Sequence, residues 1–102
     1  MRTAYDVLKD TAAVNNFPIA VEGGWSTFEV PELGDDMVSV TLGETVFTVM
    51  DYVDNDGEVT GYSWEHIEVA HGIENIIDCG GVDSEASLIR ALNSAHFSPV
   101  TR

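Results

Sequence analysis

A chain of 102 residues, 44% of them hydrophobic, is long enough for one modest core and too short for two, so residues 1–102 read as a single domain. Its 18 acids against 4 bases give a formal charge of −14, which disfavours nucleic acid and anionic lipid as ligands, because both are held by Lys and Arg. No run approaches the roughly 18 apolar residues of a membrane span, the start Met1-Arg2-Thr3-Ala4-Tyr5-Asp6 has no apolar leader region, and Cys79 is alone. A cytoplasmic chain without an internal disulfide is therefore expected.

Thr3 and Asp6 stand like a capping box with Asp in place of Glu, and predict a first helix over 3–15. Its apolar face, Ala4, Leu8 and Ala12 with Tyr5 alongside, is thin, and Asn15-Asn16-Phe17-Pro18 ends it. Short strands are expected over 19–22 and 25–30 around a Gly23-Gly24 turn, followed by a loop over 31–36. Residues 37–42 and 44–53 alternate with period 2 and are rich in Val, Thr and aromatic side chains, the pattern of half-buried strands. Asp54-Asn55-Asp56-Gly57 supplies turn chemistry, and 58–62 returns as the partner strand.

From Trp64 to Cys79 the periodicity favours a helix. At about 100° per residue, Val69, Ala70, Ile73, Ile76 and Ile77 fall within an arc of about 120°. Ser63 would be its N-cap, Glu65 suits its first turn, and Gly80-Gly81 would stop it, although Gly72 lies inside. A last helix is expected over 83–96, capped by Asp83, with Ala86, Leu88, Ile89, Leu92 and Ala95 apolar. The order implies an α+β fold: an N-terminal helix, an antiparallel meander of four or five strands, and two C-terminal helices packed on one face of the sheet.

The motifs that carry chemistry fail on register. With Gly57 at position 6 of a calcium loop, positions 1 and 12 are Tyr52 and Ser63, so a solvated hairpin turn is the better reading. His66 and His71 are five apart, which sets their rings about 140° apart on a helix and denies them a shared zinc ion, so both are expected exposed. Cys79, placed at a helix C-terminus among carboxylates, lacks the positive field a thiolate needs and reads as a partly buried structural residue. Close pairs among so many acids arise by chance, and no sugar platform accompanies them; Trp25 and Trp64 read as core anchors. No catalytic residue, metal or cofactor is assigned, and the chain is not expected to be an enzyme.

The acids are what remains. Arg2, Lys9, Arg90 and Arg102 lie near the two ends, and between Asp10 and Ile89 there are 17 acids and no Lys or Arg. Salt bridges cannot form inside that segment, so most of its carboxylates must face water. The complement of such a surface is a basic protein, and basic surfaces are commonest on proteins that bind DNA or RNA. The expected function is thus an acidic inhibitor that occupies the basic surface of a nucleic-acid-binding protein, of the anti-restriction, anti-CRISPR or nuclease-immunity kind. Its expected contact residues are Asp54 and Asp56 at the hairpin tip with Asp51 and Glu58 beside them, Asp35 and Asp36 of the loop over 31–36, and Glu65, Glu68, Glu74 and Asp78 as a helical row. The alternative is a general interaction module or assembly subunit, docking through Trp25, Phe28, Phe47, Tyr52 and Tyr62, with acidity serving solubility or adaptation to salt.

Overall fold

The computed structural model describes the backbone of residues 1–23 and 33–97 and the side chains of 1–20 and 37–95. Helix α1 spans Ala4–Asn15, strands β1 to β5 span Ile19–Gly23, Leu33–Leu42, Thr45–Val53, Val59–Ala70 and Ile73–Val82, and helix α2 spans Glu85–Phe97. Every neighbouring pair of strands is antiparallel, in the sheet order β1-β2-β3-β4-β5. The expected α+β class and the five-stranded meander are present, with one helix after the sheet in place of two. The expected strand over 25–30 and its Gly23-Gly24 turn lie in whole or in part outside the described residues.

The ends of α1 are formed by the residues the sequence marks. Thr3 caps it, its hydroxyl accepting the Asp6 amide at 3.3 Å. At the other end Asn16 turns left-handed at φ 57°, and its amide and that of Phe17 donate to the free carbonyls of the last turn. A further cap comes from the sheet: Asp51 Oδ1 accepts the Ala4 amide at 2.7 Å, closing a first-turn N–H that the helix itself leaves open. Asp51→Ala should lower unfolding free energy by about 1–2 kcal/mol in urea titration, while Asp51→Asn, which keeps an acceptor oxygen, should lose less. Helix α2 is capped by Ser84 and not by Asp83; its hydroxyl accepts the Ser87 amide at 3.1 Å and its carbonyl accepts the Leu88 amide.

The main correction concerns 64–79, which is strand, not helix. Strand β4 runs on from 59 to 70, turns through His71-Gly72, and returns as β5. Both turn residues have positive φ, 55° and 76°, the requirement of the tight turn whose twist matches paired strands. The expected helix stop, Gly80-Gly81, instead lies within β5 opposite Trp64 and Ser63. A Cβ on Gly80 would stand 3.0 Å from the Trp64 ring, so glycine there lets the indole lie against the β5 backbone. Strand β2 also starts earlier than expected, taking Leu33 to Asp36 from the predicted loop.

Alternation then sorts the sheet into two faces. Val38, Val40, Phe47, Val49 and Tyr62 point to the side on which α1 and α2 lie, and with Val7, Leu8, Leu88 and Leu92 they form the core. Phe47 stacks on Trp64 at 5.4 Å between centroids. Phe47 and Tyr62, read from sequence as candidates for a docking surface, are therefore fully buried, while Tyr52 is exposed. Trp25 and Phe28 lie outside the described residues.

Candidate functional site

Three groups of acids emerge. The first sits at the end of the β3–β4 hairpin, where Asp54, Asp56 and Glu58 are exposed. Asp54 holds the turn: its Oδ1 accepts the amides of Asp56 and Glu58, both at 2.9 Å, and its backbone pairs with Glu58 and Gly57. The carboxylates of Asp56 and Glu58 thus project from a turn that is ordered by a third. Asp51, two residues before this end of β3, points to the helix side and is engaged by Ala4.

The second group lies on the face turned away from the helices. Glu65, opposite Thr48 and Cys79, and Glu74, opposite Val69, line a trough there of about 640 Å³ whose floor includes Met37, Val46, Met50 and Ile67. Among the described residues no element packs over this face. The third group faces the helices. Asp78, opposite His66, borders a cleft between β5 and α2 with Arg90, and Glu68 pairs in register with Thr45 and Asn75. The expected helical row is thus divided: Glu65 and Glu74 share one face, and Glu68 and Asp78 the other, because alternate residues of a strand point to opposite sides. Asp35 and Asp36 lie on β2, with Asp36 opposite Gly23.

Positive charge is confined. Arg2 bridges Asp10 at 2.8 Å and Glu85 at 2.6 Å, tying the start of α1 to the first turn of α2, and this pairing holds the Glu85 carboxyl below the ordinary carboxylate value. The Lys9 ammonium rests over the Tyr5 ring at 5.6 Å. The N-terminal ammonium reaches the base of the hairpin end, donating to the Val59 carbonyl at 3.5 Å, and no Lys or Arg lines the trough.

The remaining chemical candidates are placed differently from expectation. His66 is buried, with 4% of its surface exposed, and Nε2 lies 2.8 Å from Thr45 Oγ1; burial pushes its imidazole below the ordinary value although Asp78 acts the other way. His71 is exposed in the turn. Cys79 is exposed on β5, not partly buried at a helix end. The Asp54–Gly57 segment forms the solvated turn that its sequence suggests. Among the described residues, no three His, Cys, Asp or Glu side chains converge as a metal site would require, and no helix is long and apolar enough to cross a membrane.

Sequence reasoning missed the trough. Its floor residues belong to strands whose other face forms the core, and the alternation was visible in β3; what hid the far side was the assignment of 64–79 to a helix, which removed Ile67, Glu74 and Ile76 from the sheet. Comparison of the chain with family models, curated proteins and solved structures gives no match.

Proposed function

We propose that the chain is an acidic protein-binding inhibitor that occupies the basic surface of a nucleic-acid-binding protein and so keeps nucleic acid out. The observation that supports this reading is the hairpin end, where the exposed carboxylates of Asp56 and Glu58 project from a turn held by Asp54, and among the described residues neither forms a salt bridge with Lys or Arg. An ordered carboxylate cluster meets a basic surface with less lost side-chain freedom than a loose one, and the remaining negative charge of the domain steers the encounter. Nucleic acid itself is repelled by the same surface.

The immobilised chain should retain basic, nucleic-acid-binding proteins from a cell extract at low salt, release them as salt rises, and lose them to added DNA or RNA. Asp54→Asn with Asp56→Asn should weaken retention about tenfold or more while the circular dichroism spectrum is unchanged. Recovery of no such protein at low salt, or retention indifferent to nucleic acid, overturns the reading. A chain that unfolds when salt drops below about 1 M would instead assign the acidity to salt adaptation.

A second reading, a general docking module, is favoured by one specific observation, the sheet face over which no described element packs and on which Val46, Met50 and Ile67 are half-buried.

A further inference from the structure

We propose that His66 is an acid-sensitive latch at the edge of the sheet: when its imidazole takes up a second ring proton, strand β5 parts from β4. The latch acts independently of any partner and governs how the acidic edge of the domain is held.

The buried ring sits among three strands. His66 points to the helix side of β4, with Phe47 of β3 opposite it on one flank, Asp78 of β5 on the other, and the Thr45 hydroxyl 2.8 Å from Nε2. Thr45, also buried, donates its one hydroxyl proton to the Leu42 carbonyl at 3.3 Å. Its oxygen is then an acceptor toward His66, which sets the first ring proton on Nε2 and leaves Nδ1 as the only place for a second. Among the described residues, the charged groups on this side are Asp78 on β5, Glu68 two residues along β4, and Arg90 of α2 across the cleft; Thr45 and Phe47 of β3 carry no charge. Asp78 is exposed and its Oδ1 accepts the Cys79 amide at 2.9 Å, so it compensates a buried imidazolium weakly, while Arg90 repels one. Burial outweighs the attraction of Asp78 and holds the imidazole below its ordinary value of 6.5.

Of the elements around the ring, β5 yields most easily. In the sheet it pairs with β4, every residue from 73 to 79 is exposed, and its register slips between His66 and Ile67, directly beside the ring. Helix α2 is anchored in the core by Leu88 and Leu92, and β3 is paired on both sides. Parting of β5 hydrates the ring and leaves that core in place. Above pH 6.5 the neutral ring favours the closed edge in full. As pH falls from 6.5 through the lower value of the closed form, the open form binds a proton that the closed form refuses, and the balance moves toward opening by up to about tenfold per pH unit. Glu74, Asp78 and the exposed Ile73, Ile76 and Ile77 travel with the strand, so the latch sets whether this edge stays docked on the sheet.

Backbone hydrogen exchange of the native chain between about pH 7.5 and about pH 5, corrected for the intrinsic rate at each pH, tests the latch. The β5 amides should exchange through an opening that spares β3, and below pH 6.5 they should lose protection by up to about tenfold per pH unit. Strand β1, the opposite edge of the sheet, should keep its protection, because its opening leaves His66 buried. His66→Gln keeps an N–H for Thr45 and has nothing to protonate, so it should remove the loss in β5; the carboxylates are common to both chains and cancel. If His66→Gln does not fold, the ring itself decides: the His66 Cε1 proton, followed by NMR in the native chain, should titrate below 6.5 and within the pH range in which β5 opens. Protection of β5 equal to that of β3 at every pH, a loss of the same size in His66→Gln, a loss shared by β1, or a ring that titrates at or above 6.5 overturns the proposal.

Discussion

Phe47→Ala is expected to lower the unfolding free energy by about 3–5 kcal/mol, which for a domain held by about 5–15 kcal/mol leaves little margin. The side chain is fully buried on β3 between the two helices' side of the sheet and the Trp64 ring, so its removal deletes apolar burial and leaves a cavity that the stiff sheet closes poorly. Urea titration reads the loss as a shift of midpoint, and the near-ultraviolet signal of Trp64 should fall in the folded variant because its stacking partner is gone. The control lies one residue away. Val46 points to the opposite face and is half-buried, so Val46→Ala should cost about 1 kcal/mol. Equal losses from the two substitutions would mean that the core is not on the helix-bearing side, and the assignment of faces would fail with it.

That contrast rests on period 2, the signal most legible in the sequence. In 45–53 the structure places Phe47, Val49 and Asp51 on one face and Val46, Thr48 and Met50 on the other, with Thr48 buried although it faces away from the core. The capping of α1 by Thr3 and the Asp54–Gly57 turn were legible for a related reason: each depends on a side chain bonding its own local backbone, so neighbours in sequence suffice to specify it. The stretch 64–79 was not legible, and two local features account for that. A register shift between His66 and Ile67 sets Ile67 opposite Ile76 and His66 opposite Asp78, leaving Ile77 unpaired in the register; alternation breaks there, and Ile73, Ile76 and Ile77 fall into helical spacing. The turn, moreover, is His71-Gly72 where Asn-Gly or Asp-Gly would announce a hairpin. Histidine is among the non-glycine residues that tolerate positive φ, and Gly72 inside an otherwise apolar pattern was the mark of the turn.

The acids were legible in number and less so in place. Which carboxylates are bonded within the fold depends on partners far along the chain: Asp51 meets Ala4, and Glu85 meets Arg2. Neither contact has a local signature. The division of Glu65 and Glu74 from Glu68 and Asp78 follows from the change of helix to strand, and it moves the weight of the acidic surface from one row to two faces and a hairpin end.

The same long-range contacts lead to the second large effect, an alkaline one centred on Tyr62. Its hydroxyl donates to the Arg2 carbonyl at 2.6 Å, and its ring is fully buried beneath the N-terminal segment. Burial, followed by the nearby charges of Glu85 and Asp51, pushes the phenol from 10.0 up to about 12. Above pH 10 the unfolded chain has released a proton that the folded chain still holds, so the unfolded state gains with each further rise in pH, and the stability contributed below pH 10 is lost up to pH 12. A shift of about two units corresponds to about 2.7 kcal/mol over that window. Tyr62→Phe has nothing to ionise there. Near pH 8 it should be less stable than the native chain by about 1 kcal/mol, the value of one hydrogen bond, and the two stability curves should cross near pH 11 as the native chain loses its advantage. Tyr5 and Tyr52 are present in both proteins and cancel. Urea midpoints measured from pH 8 to 12 check the crossing; a constant separation across that range would mean that the phenol ionises alike in the folded and unfolded chains, and that the contact with Arg2 does not seal it from water.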